Sequence, residues 1–283
     1  MQKRIPFSFS HFAVALIPVI FLPCCSPAEA EAPPTTIGGA ATGSGAKIRI
    51  SPGEAKQIGA QIWKNECGGT VAGLTSWNAG EDFASLGIGH FLWYYQGGQA
   101  RFEESFPPLV RYIQSRGAAV PAVAKLPACP WRSRAEFLAS QNSPQMRDLR
   151  TFLHKTIPLQ TEFILKRLEA ALPKMLAEVP AAERDIVSGR FYAVASTPKG
   201  KYALMDYVNF KGEGTKKSER YKGQGWGMLQ VLQEMRGAPR GNAAVIEYAG
   251  AADRVLTRRV ANAPKNESRW LAGWSNRLKT YRP

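Results

Sequence analysis

Glu66–Tyr95 reads ECGGTVAGLTSWNAGEDFASLGIGHFLWYY. The stretch opens with a carboxylate where a helix should end. Upstream, Ser51 is placed to act as N-cap, Pro52 fits the first helical position, and Glu54 completes a capping box. Ala55, Ile58, Ile62 and Trp63 then form one apolar stripe at helical spacing, and Gly68 and Gly69 supply the stop. Glu66 therefore falls in the last turn, at the negative end of the helix dipole. That position disfavours its charge and predicts a raised pKa, as a general acid requires. The same argument predicts that Glu66→Gln leaves thermal stability unchanged or slightly higher.

Downstream, Leu74, Trp77, Phe83, Leu86 and Ile88 alternate with polar residues and glycines. The pattern predicts short strands and turns, a small sheet or hairpin, with Gly80, Gly87 and Gly89 at tight turns or close approaches. A Glu at a helix end, followed by a glycine-rich hairpin carrying Ser85-Leu86-Gly87-Ile88-Gly89-His90, resembles the phage-type lysozymes. The resemblance covers a small share of the chain. It implies a mainly α (α+β) lysozyme-like fold, with a small glycine-rich β-hairpin lobe and a larger helical lobe around a cleft. Glu66 matches the family's acid, Ser85 its hydroxyl residue, and Gly87, Gly89 and His90 the rest of the motif. The spacing from Glu66 to the motif is longer than in the family. The family's intervening Asp has no clean counterpart: Asn78, Glu81 and Asp82 stand in that region.

Ahead of this region, Lys3 and Arg4 precede an apolar run from Phe12 to Leu22, and small-residue cleavage sites follow at Ala28–Ala30 and Ala30–Ala32. Residues 1–30 are expected to be a signal peptide, and the run is too short for a membrane span. Cys24 and Cys25 offer a rival processing site that would leave a lipid-anchored protein. Either route exports the chain, to the periplasm or beyond. Residues 31–47, rich in Ala, Pro, Thr and Gly, read as a flexible linker. Residues 48–283 are then expected to be the lysozyme-like catalytic domain, long enough for one sizeable core or for two lobes sharing a cleft.

Two cysteines follow the linker, Cys67 and Cys129, which either pair in an oxidising compartment or stand as separate buried thiols. His11, His90 and His154 are scattered, so no metal site is expected, and no cofactor. The net charge of +15, from 37 Lys and Arg against 22 Asp and Glu, suits an acidic polymer such as the bacterial cell wall. No nucleic-acid motif accompanies it. A monomer is expected.

Most of the remaining chain reads as helix. Ser105 is expected to cap a helix opened by Pro107 and Pro108, and Ser143-Pro144 starts another. Ile164, Leu168, Leu172 and Leu176 recur every four residues, with Pro173 predicting a kink or break. Ile186, Val187, Phe191 and Val194 form a further face, and two helices, Ala243–Val260 and Glu267–Tyr281, close the chain.

Tyr202–Leu232 concentrates polar groups beside aromatics and glycines, and reads as a loop lining a sugar-binding cleft. Gly227-Met228-Leu229-Gln230-Val231 is similar to the Gly-Leu-Met-Gln segment of lytic transglycosylases, although the order of motifs differs from that family. The candidate catalytic residues are Glu66, Ser85 and, as second carboxylate, Glu81, with Glu213 next. His90 is expected to hold the hairpin by a side-chain hydrogen bond. The candidate substrate-binding residues are Trp77, Asn78, His90, Tyr207, Asn209, Glu213, Trp226 and Gln230, with Trp93, Tyr94 and Tyr95 as further stacking candidates. The resemblance implies a peptidoglycan glycosidase that cleaves the β-1,4 link between N-acetylmuramic acid and N-acetylglucosamine. The alternatives are a lytic transglycosylase on the same bond and a cell-wall-binding protein of the same fold without chemistry.

Overall fold

The capping chemistry at Ser51 sets the first element in the computed structural model, which describes residues 47–98 and 102–283. The Ser51 hydroxyl accepts from the Glu54 N–H at 3.1 Å, and the Glu54 carboxylate accepts from the Ser51 N–H at 2.8 Å. Helix α1 (Pro52–Cys67) runs from this box to Gly68, whose left-handed φ of 64° ends it. The expected signal peptide, most of the linker, Cys24 and Cys25 lie outside the described residues.

Three short strands follow, β1 (Thr75–Ser76), β2 (Phe83–Leu86) and β3 (Phe91–Tyr94), in one antiparallel sheet ordered β1-β2-β3. The register pairs Ser76 with Ser85 and Leu86 with Phe91. Gly87–His90 is therefore the four-residue turn between β2 and β3. A parallel bridge from Tyr95 to Cys129 ties the segment around Cys129 to this sheet, and Cys67 and Cys129 are both free, buried thiols.

The rest is helical: α2 (Phe106–Ser115), α3 (Arg134–Ala139), α4 (Pro144–Lys155), α5 (Ile157–Ala177), α6 (Ala181–Ala195) and α7 (Pro198–Lys211). A two-stranded hairpin, β4 (Arg220–Tyr221) and β5 (Gln224–Gly225), separates these from α8 (Met228–Glu234), α9 (Asn242–Asn262) and α10 (Ser268–Lys279). The chain is thus mainly α with a small antiparallel sheet, and Ile48–Pro283 forms a single unit around one core. Helix α1 lies against α5 at Gly59, where a Cβ would come within 2.4 Å of Thr161 Oγ1 and 2.7 Å of an Ile157 methyl. Among the described residues, no helix is long and apolar enough to cross a membrane.

Several expectations need correction. Ser105 does not cap α2 with its side chain; its hydroxyl instead accepts from the Leu92 N–H at 3.0 Å and braces β3. Helix α5 continues through Pro173 to Ala177. The proline sits one turn from the end, and buried Leu172 and Met175 hold the helix to the core on either side. Ile186 is 53% exposed, so the inner face of α6 is Val187, Phe191 and Val194. Tyr202–Lys211 is not loop but the second half of α7. Thr197 caps that helix by accepting from the Gly200 N–H at 3.0 Å, and Tyr202 through Tyr207 are buried.

Candidate active site

The C-terminal turn of α1 delivers two neighbouring polar residues, Asn65 and Glu66, against α7 and α10. Asn65 donates to the Tyr202 hydroxyl at 2.8 Å and to Asp206 Oδ1 at 3.1 Å. Asp206 is fully buried on α7. It accepts from Arg277 Nε at 2.7 Å, from Arg277 Nη2 at 2.8 Å and from the Tyr281 hydroxyl at 2.6 Å. This is the bidentate fork that makes Arg effective in a buried ion pair.

Arg277 also reaches Glu66. The same Nη2 donates to Glu66 Oε1, which accepts in addition from Asn209 Nδ2 at 3.3 Å. On the other carboxylate oxygen, His90 Nδ1 stands 3.8 Å from Oε2. The Glu66 side chain retains 6% of its surface. Four separate parts of the chain thus converge on one carboxylate: α1, the β2–β3 turn, α7 and α10.

The glycine-rich turn is fixed from below. Gln160 Oε1 on α5 accepts from the Ile88 N–H at 2.9 Å, while Gln160 Nε2 donates to the Leu153 carbonyl at 2.6 Å. Gly87 has φ of 67°, and a Cβ there would lie 2.3 Å from Gln160 Oε1, so glycine is required on both counts. His90 itself is left-handed, with φ of 46°, which turns its ring back toward the end of α1.

The ionisation of Glu66 corrects the expectation from the helix dipole. Burial is the largest influence and pushes its pKa up, but Arg277, His90 and the Asn209 hydrogen bond together bring it below the usual carboxylate value. A full guanidinium charge in contact outweighs the partial charge of a helix end. The same surroundings push the Tyr202 and Tyr281 hydroxyls up, chiefly through burial and then through Asp206.

The other candidates separate clearly. Asn209 and His90 join Glu66. Glu81 bonds locally: Asn78 Nδ2 donates to its Oε2 at 3.1 Å, and the Trp77 indole donates to its backbone carbonyl at 2.7 Å. Ser85 lies in β2 opposite Ser76 and Leu92, with 4% exposure. Glu213 follows α7 and stands 3.7 Å from Lys174.

All of the expected ring-stacking platforms except the half-buried Tyr95 are core residues instead. Trp77 is buried against Phe137 and Tyr95, while Trp93 and Tyr94 are also buried. Tyr207 is fully buried and donates its hydroxyl to the Trp226 carbonyl at 2.8 Å. Trp226 is buried against Tyr221 and the Arg259 guanidinium. The Gln230 side chain is a brace, accepting from the Gly227 N–H at 2.9 Å and donating to the Gly214 carbonyl at 3.0 Å. For Tyr207 and Trp226, proximity to glycine in sequence reflects close packing in the core, whereas Gln230, with Gly223 and Gly225, also lines a cavity of about 430 Å³.

Sequence reasoning missed Arg277, Tyr281 and Asn65. The available signal was on α10, where Trp270, Trp274 and Arg277 fall at i, i+4 and i+7 on one helical face. No protein family, curated protein or solved structure was found to match the chain.

Proposed function

We infer that the protein is an exported, peptidoglycan-cleaving glycosidase of lysozyme-like architecture, acting as a monomer in the periplasm or outside the cell, released or lipid-anchored at Cys24 or Cys25. Its bond is the β-1,4 link between N-acetylmuramic acid and N-acetylglucosamine. The observation that carries this reading is the meeting of Glu66, at the end of α1, with His90 from the Ser-Leu-Gly-Ile-Gly-His turn. These are the two ends of the motif on which the resemblance rests, and nothing in sequence spacing alone required them to touch.

In this reading Glu66 protonates the leaving glycosidic oxygen as the C–O bond breaks. A water held near Ser85 attacks the sugar carbon and returns a proton to Glu66. Of the two candidates for a second carboxylate, Glu81 is held by Asn78 and Glu213 by Lys174, so either would serve a two-carboxylate mechanism only after leaving that partner. Glu66 must therefore gain a proton in the substrate complex. A bound saccharide would remove the remaining exposure of the Glu66 side chain, and loss of solvation raises a carboxylate pKa. Burial is already the largest influence on this group, so the balance against Arg277 is the one a substrate would tip.

A second reading draws on the same pair. A carboxylate that Arg277 keeps ionised in the free protein has no proton to give, which favours a wall-binding protein without chemistry. Mass spectrometry of products from purified peptidoglycan separates the readings. Reducing muramic ends support the hydrolase, anhydro-muramic ends the transglycosylase, and co-sedimentation without products the binding protein.

A further inference from the structure

Three cations interleave with aromatic rings behind Glu66. The Arg277 guanidinium lies 4.2 Å from the centre of the Phe210 ring, and Lys211 Nζ lies 4.1 Å from the same ring. Lys211 Nζ is also 3.6 Å from the centre of the Trp274 ring, which Arg259 approaches at 5.1 Å. Two of the cations have carboxylate partners: Arg277 pairs with Asp206 and Glu66, and Arg259 pairs with Glu267 at 2.8 Å. Among the described residues, Lys211 has ring contacts but no hydrogen-bond or ion-pair partner.

An ammonium group has three donors and is strongly hydrated in water. Two ring faces compensate part of that hydration and supply no acceptor oxygen. Lys211 as a residue is only partly buried. It shares the Phe210 ring with Arg277, which pairs with Glu66, and its charge is felt by Glu66. We propose that Lys211, between Phe210 and Trp274, is an anion-binding point beside Glu66 that accepts the carboxylate of an acidic sugar unit.

The saccharide part of this assignment rests on the glycosidase reading; the anion part does not. The charged groups facing Lys211 are Arg259, Arg277, Glu267 and Glu66. Burial first, then the two arginines, hold its pKa well below the ordinary lysine value, against the opposite pull of the two glutamates. A carboxylate placed on the ammonium opposes that shift and stabilises the charged form.

The test has two arms on the full chain. In the first, lysine side-chain carbons are followed by NMR across a pH series in lactate and in chloride at equal ionic strength, with Lys211→Gln to assign the signal. The Lys211 titration is expected to move to higher pH in lactate while the surface lysines stay in place; no movement, or equal movement of all lysines, overturns the proposal. In the second, calorimetry measures binding of a muramic-acid-containing oligosaccharide and of an N-acetylglucosamine oligosaccharide. Lys211→Met is expected to weaken the first on the order of tenfold, with the second unchanged. Loss of both ligands equally, or of neither, overturns the proposal. If Lys211→Met melts early, Lys211→Gln serves in the second arm. A lactate response in a protein that binds neither saccharide supports the anion point and rejects the glycosidase reading.

Discussion

Replacing Arg277 by Met should damage the fold more than any other single change at this site. The guanidinium serves two carboxylates at once, Asp206 through two of its nitrogens and Glu66 through the shared Nη2. Removing one member of a buried ion pair costs about 3–5 kcal/mol, because the remaining charge is left without compensation. Asp206 would keep the Tyr281 and Asn65 hydrogen bonds, and Glu66 would keep Asn209 and His90, so the upper end of that range is not exceeded. In a domain of this size each kcal/mol shifts Tm by roughly 2–4 °C, giving a fall of roughly 6–20 °C at neutral pH.

The pH dependence follows from the direction of the Glu66 shift. Its pKa in the folded protein is below the unfolded value, so its contribution is present above the unfolded pKa and is lost as pH falls through the folded pKa. Without Arg277 the influence of burial dominates and reverses the shift. The variant should then gain stability relative to wild type as pH drops through the carboxylate range. Thermal melts of both proteins from neutral pH down to that range measure the gap. A gap that is small at neutral pH, or that stays constant as the carboxylates protonate, refutes the claim that Arg277 compensates buried charge.

Three further outcomes are expected. Burial pushes the Cys67 and Cys129 thiols up to about 12, so at mildly alkaline pH both should resist alkylation until the protein is unfolded; peptide mapping of labelled sites checks this. Gly87→Ala forces a side chain onto Gln160 at a left-handed φ, and should lower stability by about 1–3 kcal/mol in denaturant titration. Asn209→Ala removes one hydrogen bond to Glu66 and should reduce wall cleavage or saccharide binding while costing about 0.5–1.5 kcal/mol of stability, as kinetics and melting together will show.

The local parts of this structure were legible in the sequence. Ser51, Pro52, Glu54 and Gly68 fix α1 through contacts within a few residues, so a reader of the chain can place Glu66 at a helix end. The turn at Gly87–His90 was legible for the same reason. The chemistry of Glu66 was not, because its decisive partner is 211 residues away on the last helix. Helix α7 was hidden by its own site: Asp206, Asn209 and Lys211 made a helical segment look like a polar loop. Their polarity is directed at Arg277, Glu66 and the aromatic rings of α10, contacts that exist only once α1, α7 and α10 are packed. The Thr197-Pro198 start was the overlooked signal, formally the same as Ser51-Pro52. Aromatics such as Tyr207 and Trp226 misled for the converse reason. A ring beside glycines reads as a ligand platform, yet here the glycines let backbone and rings pack closely in the core.

The structure also changes what Glu66→Gln should do to stability. Removing this carboxylate takes away one of the two partners of Arg277, while Asp206 retains its fork, so a modest loss replaces the expected neutral or favourable effect. That modest loss makes the substitution usable as a catalytic test. The measurement that bears most directly on the account is release of reducing sugar from purified peptidoglycan by wild type and by Glu66→Gln, compared at equal folded fraction. The account predicts cleavage by the wild type and a loss on the order of 10²–10⁴-fold in the variant, since Gln cannot donate the proton. A variant within a few-fold of wild type would contradict it.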